Sequence, residues 1–239
     1  MTTPLLSVRG LAKTYGAHAA VDGVDLDVFP GEIVGLIGES GCGKTTLVRA
    51  ALGLIRPTAG TSSIAGEVIR DRPSRSAQLL FQDAGASLNP GLTVRETLRE
   101  SIRVHGGSES TIDDTLTRVD LLARADAIPA ELSGGEKRRA TLAQLFIADP
   151  KLTVADEPTA GLDAARKADL LDLLLARRGP DRGYLIISHD LTLVLYCCTR
   201  VVVMDAGRIV DTFDRQTAAT RQHPRTRALL DAAGLGSAA

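Results

Sequence analysis

Gly38-Glu39-Ser40-Gly41-Cys42-Gly43-Lys44-Thr45 fits the spacing GxxxxGK[ST]. Glycines so placed let a backbone curl until several N–H groups point at one phosphate, and a helix opening at the lysine adds its positive end. A lysine there bridges β- and γ-phosphates, and the next hydroxyl holds Mg2+. The segment from Gly38 through Thr46 is therefore the candidate phosphate site, with Cys42 read as a tolerated small residue rather than a nucleophile. Asp156 and Glu157 close an apolar run. Adjacent carboxylates at a strand end point in different directions, so Asp156 can serve a metal while Glu157 orients or deprotonates a water. Leu132-Ser133-Gly134-Gly135-Glu136 places a hydroxyl and two glycines at a helix start, a second anion site whose plainer reading is an ordinary helix cap.

These groups need elements to hold them. Ile33–Ile37 is a continuous apolar run and reads as a buried strand, Val24–Val28 alternates as a half-buried antiparallel one, and Lys44–Leu54 has helical spacing. Ala77–Phe81 reads as a strand, whereas Val94–His105 and Thr111–Leu122 read as helices divided by Gly106-Gly107. A third helix follows Ser133 and runs to about Ala148, then Leu152–Ala155 is a strand leading into Asp156. Ala164–Arg177 is helical, Tyr184–Ile187 a strand, and Val201–Met204 pairs with Ile209-Val210 across Asp205–Arg208. Pro224–Ala233 reads as a terminal helix. The expectation is one α/β domain over 1–239, with a helical arm at about 88–148 and a short C-terminal helix at about 215–233.

Composition bounds the function. A chain of 239 residues with a formal charge of -1 has no global positive field to recruit nucleic acid, so phosphate binding must be local. Aromatics at 3%, without Trp, are too few for base-stacking platforms. Three cysteines, two of them adjacent, give neither a disulfide framework nor a metal spacing and fit a reducing cytosol. His18, His105 and His223 have no ligand spacing. The N-terminus lacks the basic head and apolar run of a signal peptide, and charges interrupt every apolar stretch short of a membrane span.

The order of Lys44, Ser133, Asp156, Asp163 and His189 resembles the ATP-binding subunits of ATP-binding cassette (ABC) transporters over nearly the whole chain. The resemblance implies an α/β fold: a P-loop NTPase core with an antiparallel β subdomain and an inserted α-helical signature subdomain. It implies ATP and Mg2+ as ligands, with Tyr15 stacking on adenine and Gln82 as the Q-loop glutamine that, with Thr45 and Asp156, holds Mg2+. Leu132, Ser133, Gly134, Gly135 and Glu136 are similar to the signature motif that closes over ATP held by a second protomer; Asp163 is similar to the D-loop aspartate and His189 to the switch histidine. Glu157, His189, Lys44 and Gln82 are the implied catalytic set. A monomer is expected to hydrolyse poorly.

Phe81-Gln82-Asp83-Ala84-Gly85-Ala86-Ser87-Leu88-Asn89-Pro90 and His223-Pro224-Arg225-Thr226-Arg227-Ala228-Leu229-Leu230 resemble the FQDPxxSLNP and HPYTRALL stretches of oligopeptide, dipeptide and nickel importer ATPases. Ala84 stands at the usual Pro, Arg225 at an aromatic, Arg138 at the usual Gln and Gln144 at the usual Arg, and the tail is short. The resemblance implies an importer ATPase for peptides or nickel chelates at the cytoplasmic face of the membrane. Its implied partners are a second ATPase subunit, identical or a sister, two permease subunits and, indirectly, an extracellular binding protein. The alternatives are an accessory ATPase of a soluble complex of the carbon-phosphorus lyase kind and an exporter ATPase. A DNA-repair or chromosome ATPase is disfavoured, because no long heptad run splits the chain.

Overall fold

Leu6–Tyr15 (β1) and His18–Val28 (β2) bury Leu6, Val8 and Leu11 with Val21, Val24, Leu26 and Val28, and pair antiparallel from Leu6↔Val28 to Tyr15↔His18. The computed structural model of the protein describes residues 2–70, 72–81, 85, 87–221 and 223–235. Ile33–Ile37 (β3) is buried at every position, as a strand with parallel neighbours on both sides must be. The chain then turns through the glycine loop into Lys44–Ala51 (α1), three residues shorter than the spacing predicts. Leu54 N–H reaches the Arg49 carbonyl (2.8 Å) and Gly53 N–H that of Ala50 (3.1 Å), a closure that ends the helix. Ala59–Ile64 (β4) and Glu67–Ile69 (β5) complete a four-stranded antiparallel sheet in the order β2-β1-β4-β5.

The chain forms two compact units, one comprising residues up to Ala77, Lys151–Pro158 and Arg178 onward, the other Gln78–Pro150 and Thr159–Arg177. Ala77–Leu80 (β6) runs from the first into the second. The second unit holds Val94–His105 (α2), Ile112–Arg118 (α3), Gly134–Ala148 (α4) and Ala164–Leu175 (α5), so the expected arm lies within it and α5 joins it. α3 is shorter than its periodicity predicts. Asp120 takes a left-handed φ of 53°, and Leu121 N–H returns to the Leu116 carbonyl at 2.8 Å.

In the first unit, Leu152–Asp156 (β7), Gly183–Ile187 (β8) and Arg200–Asp205 (β9) join β3 in a parallel array, with Arg208–Phe213 (β10) antiparallel at the edge, in the order β10-β9-β3-β8-β7. The register sets Leu36 beside Ile187 and Ile187 beside Asp156. The C-terminal ends of β3, β7 and β8 therefore share one edge, the edge where open parallel sheets bind ligands. Leu191–Cys197 (α6) follows β8, capped by Asp190, whose carboxylate accepts from Leu193 N–H at 3.1 Å. The terminal helix, Pro224–Ala232 (α7), begins well after 215. Asp214 and Thr217 close a side-chain turn ahead of it, with Thr217 N–H donating to Asp214 Oδ1 at 2.9 Å.

Candidate active site

Two glycines show why the loop after β3 needs its sequence. A Cβ on Gly38 would lie 2.2 Å from the Met204 carbonyl oxygen, and one on Gly43 2.1 Å from that of Ala20. Gly43 also has a φ of 108°, a left-handed value that side chains resist. The backbone is thus pressed against β9 and β2 on its outer side. Gly207, in the β9–β10 turn, donates its N–H to the Cys42 carbonyl at 3.0 Å and accepts from Asp22 N–H at 2.9 Å, tying loop, turn and β2 together. The Asp205–Arg208 turn is legible in the sequence; its attachment to the loop is not. Cys42 is buried with its Sγ against Gly38, in keeping with a packing role.

Lys44 opens α1 with its side chain buried, and its Nζ donates to the carbonyls of Gly38 (2.8 Å) and Glu39 (2.9 Å). One ammonium thereby spans the loop. Glu39, Ser40 and Gly41 form the exposed part of the loop, whereas Thr45 and Thr46 are half-buried on α1. Thr45 Oγ1 donates to Asp156 Oδ2 at 2.9 Å. A hydroxyl and a carboxylate so close are the hard oxygen donors that Mg2+ accepts, so these residues fit the ion. Burial pushes the Asp156 carboxyl above its ordinary range; the Thr45 hydrogen bond opposes that shift and the neighbouring Glu157 charge adds to it. A cation beside Asp156 would relieve such a buried charge.

Glu157 leaves β7 with a φ of 49°, left-handed for a non-glycine residue, while its N–H still bonds the Ile187 carbonyl at 2.9 Å. Such a backbone state is costly and is found where a side chain must be aimed. Here Oε1 meets His189 Nδ1 at 2.9 Å, and Oε2 is buried with no hydrogen-bond partner among the described residues. His189 itself is exposed. It lies between Ser188, whose Oγ accepts from Asp190 N–H at 3.0 Å, and the Asp190 cap of α6.

Tyr15 stands exposed at the tip of the β1–β2 hairpin, with Lys13 Nζ 5.0 Å from its ring centroid. Ala20, two residues past Tyr15's partner His18, is the residue pressed against Gly43, so this hairpin borders the loop. The first unit therefore gathers Tyr15, the loop from Gly38 to Thr46, Asp156, Glu157 and His189. Gln82 lies outside the described residues.

The remaining sequence candidates belong to the second unit. Ser133 caps α4: its Oγ accepts from Glu136 N–H at 3.3 Å, and Glu136 Oε2 accepts from Ser133 N–H at 2.8 Å. Hydrogen bonding to the carboxylate from the Ser133 backbone first, and from its side chain next, holds the Glu136 carboxyl below its ordinary range. Leu132 is buried, whereas Ser133 and Gly134 are exposed at the helix start and Gly135 is half-buried. Asp163 caps α5 by accepting from Arg166 N–H at 3.0 Å. Arg138, at its atypical position on α4, donates to the Ala160 carbonyl, three residues before Asp163. The departure from the usual sequence thus makes a contact of its own.

Residues 21–160 match the family model for ABC transporters. A Brucella ovis protein named as a candidate peptide import ATP-binding protein is 39% identical, over 96% of this chain and 78% of its own length. The oligopeptide transport ATP-binding protein of Bacillus subtilis is 34% identical, over 97% of this chain and 83% of its own. A solved ATP-binding subunit of an ABC transporter superposes with a TM-score of 0.82 at 27% identity, covering 98% of this chain and 95% of that one. The chain belongs to the ABC transporter family, as an ATP-binding and ATP-hydrolysing subunit.

Proposed function

We propose that this subunit drives import of peptides, working with a second ATPase subunit beneath two permease subunits at the cytoplasmic face of a membrane. The observation that carries the ATPase part is the convergence of the Lys44 loop, the Thr45–Asp156 pair and the Glu157–His189 pair at one edge of a parallel sheet. The relatives named for peptide import and oligopeptide transport support peptides as cargo over nickel chelates. Among the described residues no helix is long and apolar enough to cross a membrane.

Each residue has a task in this reading. Tyr15 stacks on the adenine, and the backbone of the loop from Gly38 through Thr46 receives the phosphates. Lys44 exchanges its loop carbonyls for phosphate oxygens. Thr45 and Asp156 would hold Mg2+, which when bound supplies positive charge against the negative charge of the phosphates. Glu157 orients the attacking water and takes its proton on the carboxylate, while His189 fixes that carboxylate through Oε1 and reaches toward the γ-phosphate. Ser133 and the N–H groups of Gly134 and Gly135 close over the ATP of the partner subunit, and Asp163 contacts that partner.

The test is the membrane complex built on this chain, purified in lipid with its binding protein. Peptide should stimulate Mg2+-dependent phosphate release, and Glu157→Gln should remove the stimulated part. Stimulation by chelated nickel alone would replace the cargo. Co-purification with a soluble enzyme, and no permease, would replace the transport reading.

A further inference from the structure

The tail motif His223–Leu230 carries an arginine, Arg225, where the resembled stretch has an aromatic, and the fold brings it to the phosphate loop. Arg225 Nη1 lies 2.9 Å from Glu39 Oε1, and its Nε 3.1 Å from Asp205 Oδ2. One planar guanidinium thus joins three segments distant in sequence, as its fork geometry allows.

Both carboxylates lead back to the loop. Glu39 is a loop residue whose carbonyl accepts from Lys44 Nζ at 2.9 Å. Asp205 precedes the turn whose Gly207 N–H bonds the Cys42 carbonyl at 3.0 Å. The helix bearing Arg225 is anchored independently of it, because Thr226, fully buried, donates its Oγ1 to Asp211 Oδ2 at 2.7 Å. Arg225 and Glu39 are 48% and 64% exposed, and exposed ion pairs contribute little to stability. The contact is therefore better placed to tune charge and loop shape than to hold the fold.

We infer that Arg225 is a positioning residue of the nucleotide site: from the first turn of α7 it braces Glu39 and the β9–β10 turn, fixing the phosphate loop and offsetting a negative charge beside the triphosphate. This rests on the reading of Gly38–Thr46 as the ATP site. Without Arg225 the Glu39 carboxylate repels the phosphates unopposed, so ATP binds less tightly, while the residues that act on water are unchanged.

The experiment measures ATP affinity of the full chain by displacement of a fluorescent ATP, beside thermal unfolding and phosphate release. Arg225→Gln should raise the ATP Kd about three- to tenfold at low salt, with the difference shrinking in high salt, as expected for screened charges near a polyanion. It should leave kcat at saturating ATP within about twofold and the unfolding midpoint near wild type. Arg225→Lys should recover part of the affinity. In a Glu39→Gln background Arg225→Gln should cost less affinity than it does in the wild type, because only the Asp205 contact is left to lose. Unchanged low-salt affinity in folded Arg225→Gln would overturn the inference, as would an equal loss in the Glu39→Gln background. A wild-type chain that binds no ATP would instead overturn the ATP-site reading beneath it.

Discussion

Replacing Glu157 by Gln changes one oxygen for a nitrogen in a side chain whose backbone is already committed. The φ of 49° and the N–H bond to Ile187 are indifferent to that change, so the side chain should stay where it is. His189 Nδ1, 2.9 Å from Oε1, can still bond an amide oxygen, although it loses charge assistance. The main loss is the basicity of the carboxylate, which is needed to take a proton from water. General-base catalysis of this kind is worth about 10²- to 10⁴-fold, or about 3–5 kcal/mol in the barrier. Phosphate release by the purified chain should therefore fall by at least about a hundredfold. ATP affinity, measured in parallel by fluorescence displacement, should hold or tighten, because a negative charge near the triphosphate is gone. A kcat within threefold of wild type, about 0.7 kcal/mol, would refute the assignment of the water-orienting role to Glu157.

Ser133→Ala removes the oxygen that accepts from Glu136 N–H, and loss of such a cap costs about 1 kcal/mol, readable as a lower denaturant midpoint; phosphate release should fall while ATP affinity of the isolated subunit is spared. Loss of that affinity would contradict a role across the subunit interface. Glu136 has its carboxyl held low in the fold, so its contribution to stability is present above the ordinary value of 4.5 and lost as pH falls through the lower folded value. The difference in melting temperature between wild type and Glu136→Gln should accordingly shift against wild type on acidification from about pH 6 to about pH 3; a difference constant over that range would contradict it. Gly43→Ala must place a Cβ 2.1 Å from the Ala20 carbonyl at a φ of 108°. The backbone strain alone costs roughly 1–2 kcal/mol, so equilibrium unfolding should show a clear loss of stability together with weakened ATP binding.

The sequence reveals the strands whose burial is complete and whose ends carry chemistry. Ile33–Ile37 and Leu152–Asp156 are unbroken apolar runs followed by the glycine loop and by Glu157, so pattern and motif agree there. Ala59–Ile64 hides because it is built of small polar residues; it is a strand because its neighbours are, and the buried Ser62 satisfies its hydroxyl on the Ala51 carbonyl at 2.9 Å. Leu6–Tyr15 is interrupted by Gly10 and charged residues and shows its alternation only once paired with β2. Leu191–Cys197 is almost wholly apolar and gives no helical period; its one signal is the Asp190 cap. In the site, residue types were legible but their pairings were not. Glu157 and His189 meet because parallel register aligns two strand ends, and Arg225 meets Glu39 across 186 positions. No local pattern carries such contacts.

In the proposed function ATP binds at the loop around Lys44. Titration calorimetry of ATP with Mg2+ into the purified chain, wild type beside Lys44→Ala, tests it most directly. One site is expected on the wild type and at least about a tenfold weaker site, or none, on the variant, since the ammonium that spans the loop at 2.8 and 2.9 Å is the charge the phosphates would meet. Equal affinity in a folded Lys44→Ala chain would place the nucleotide elsewhere.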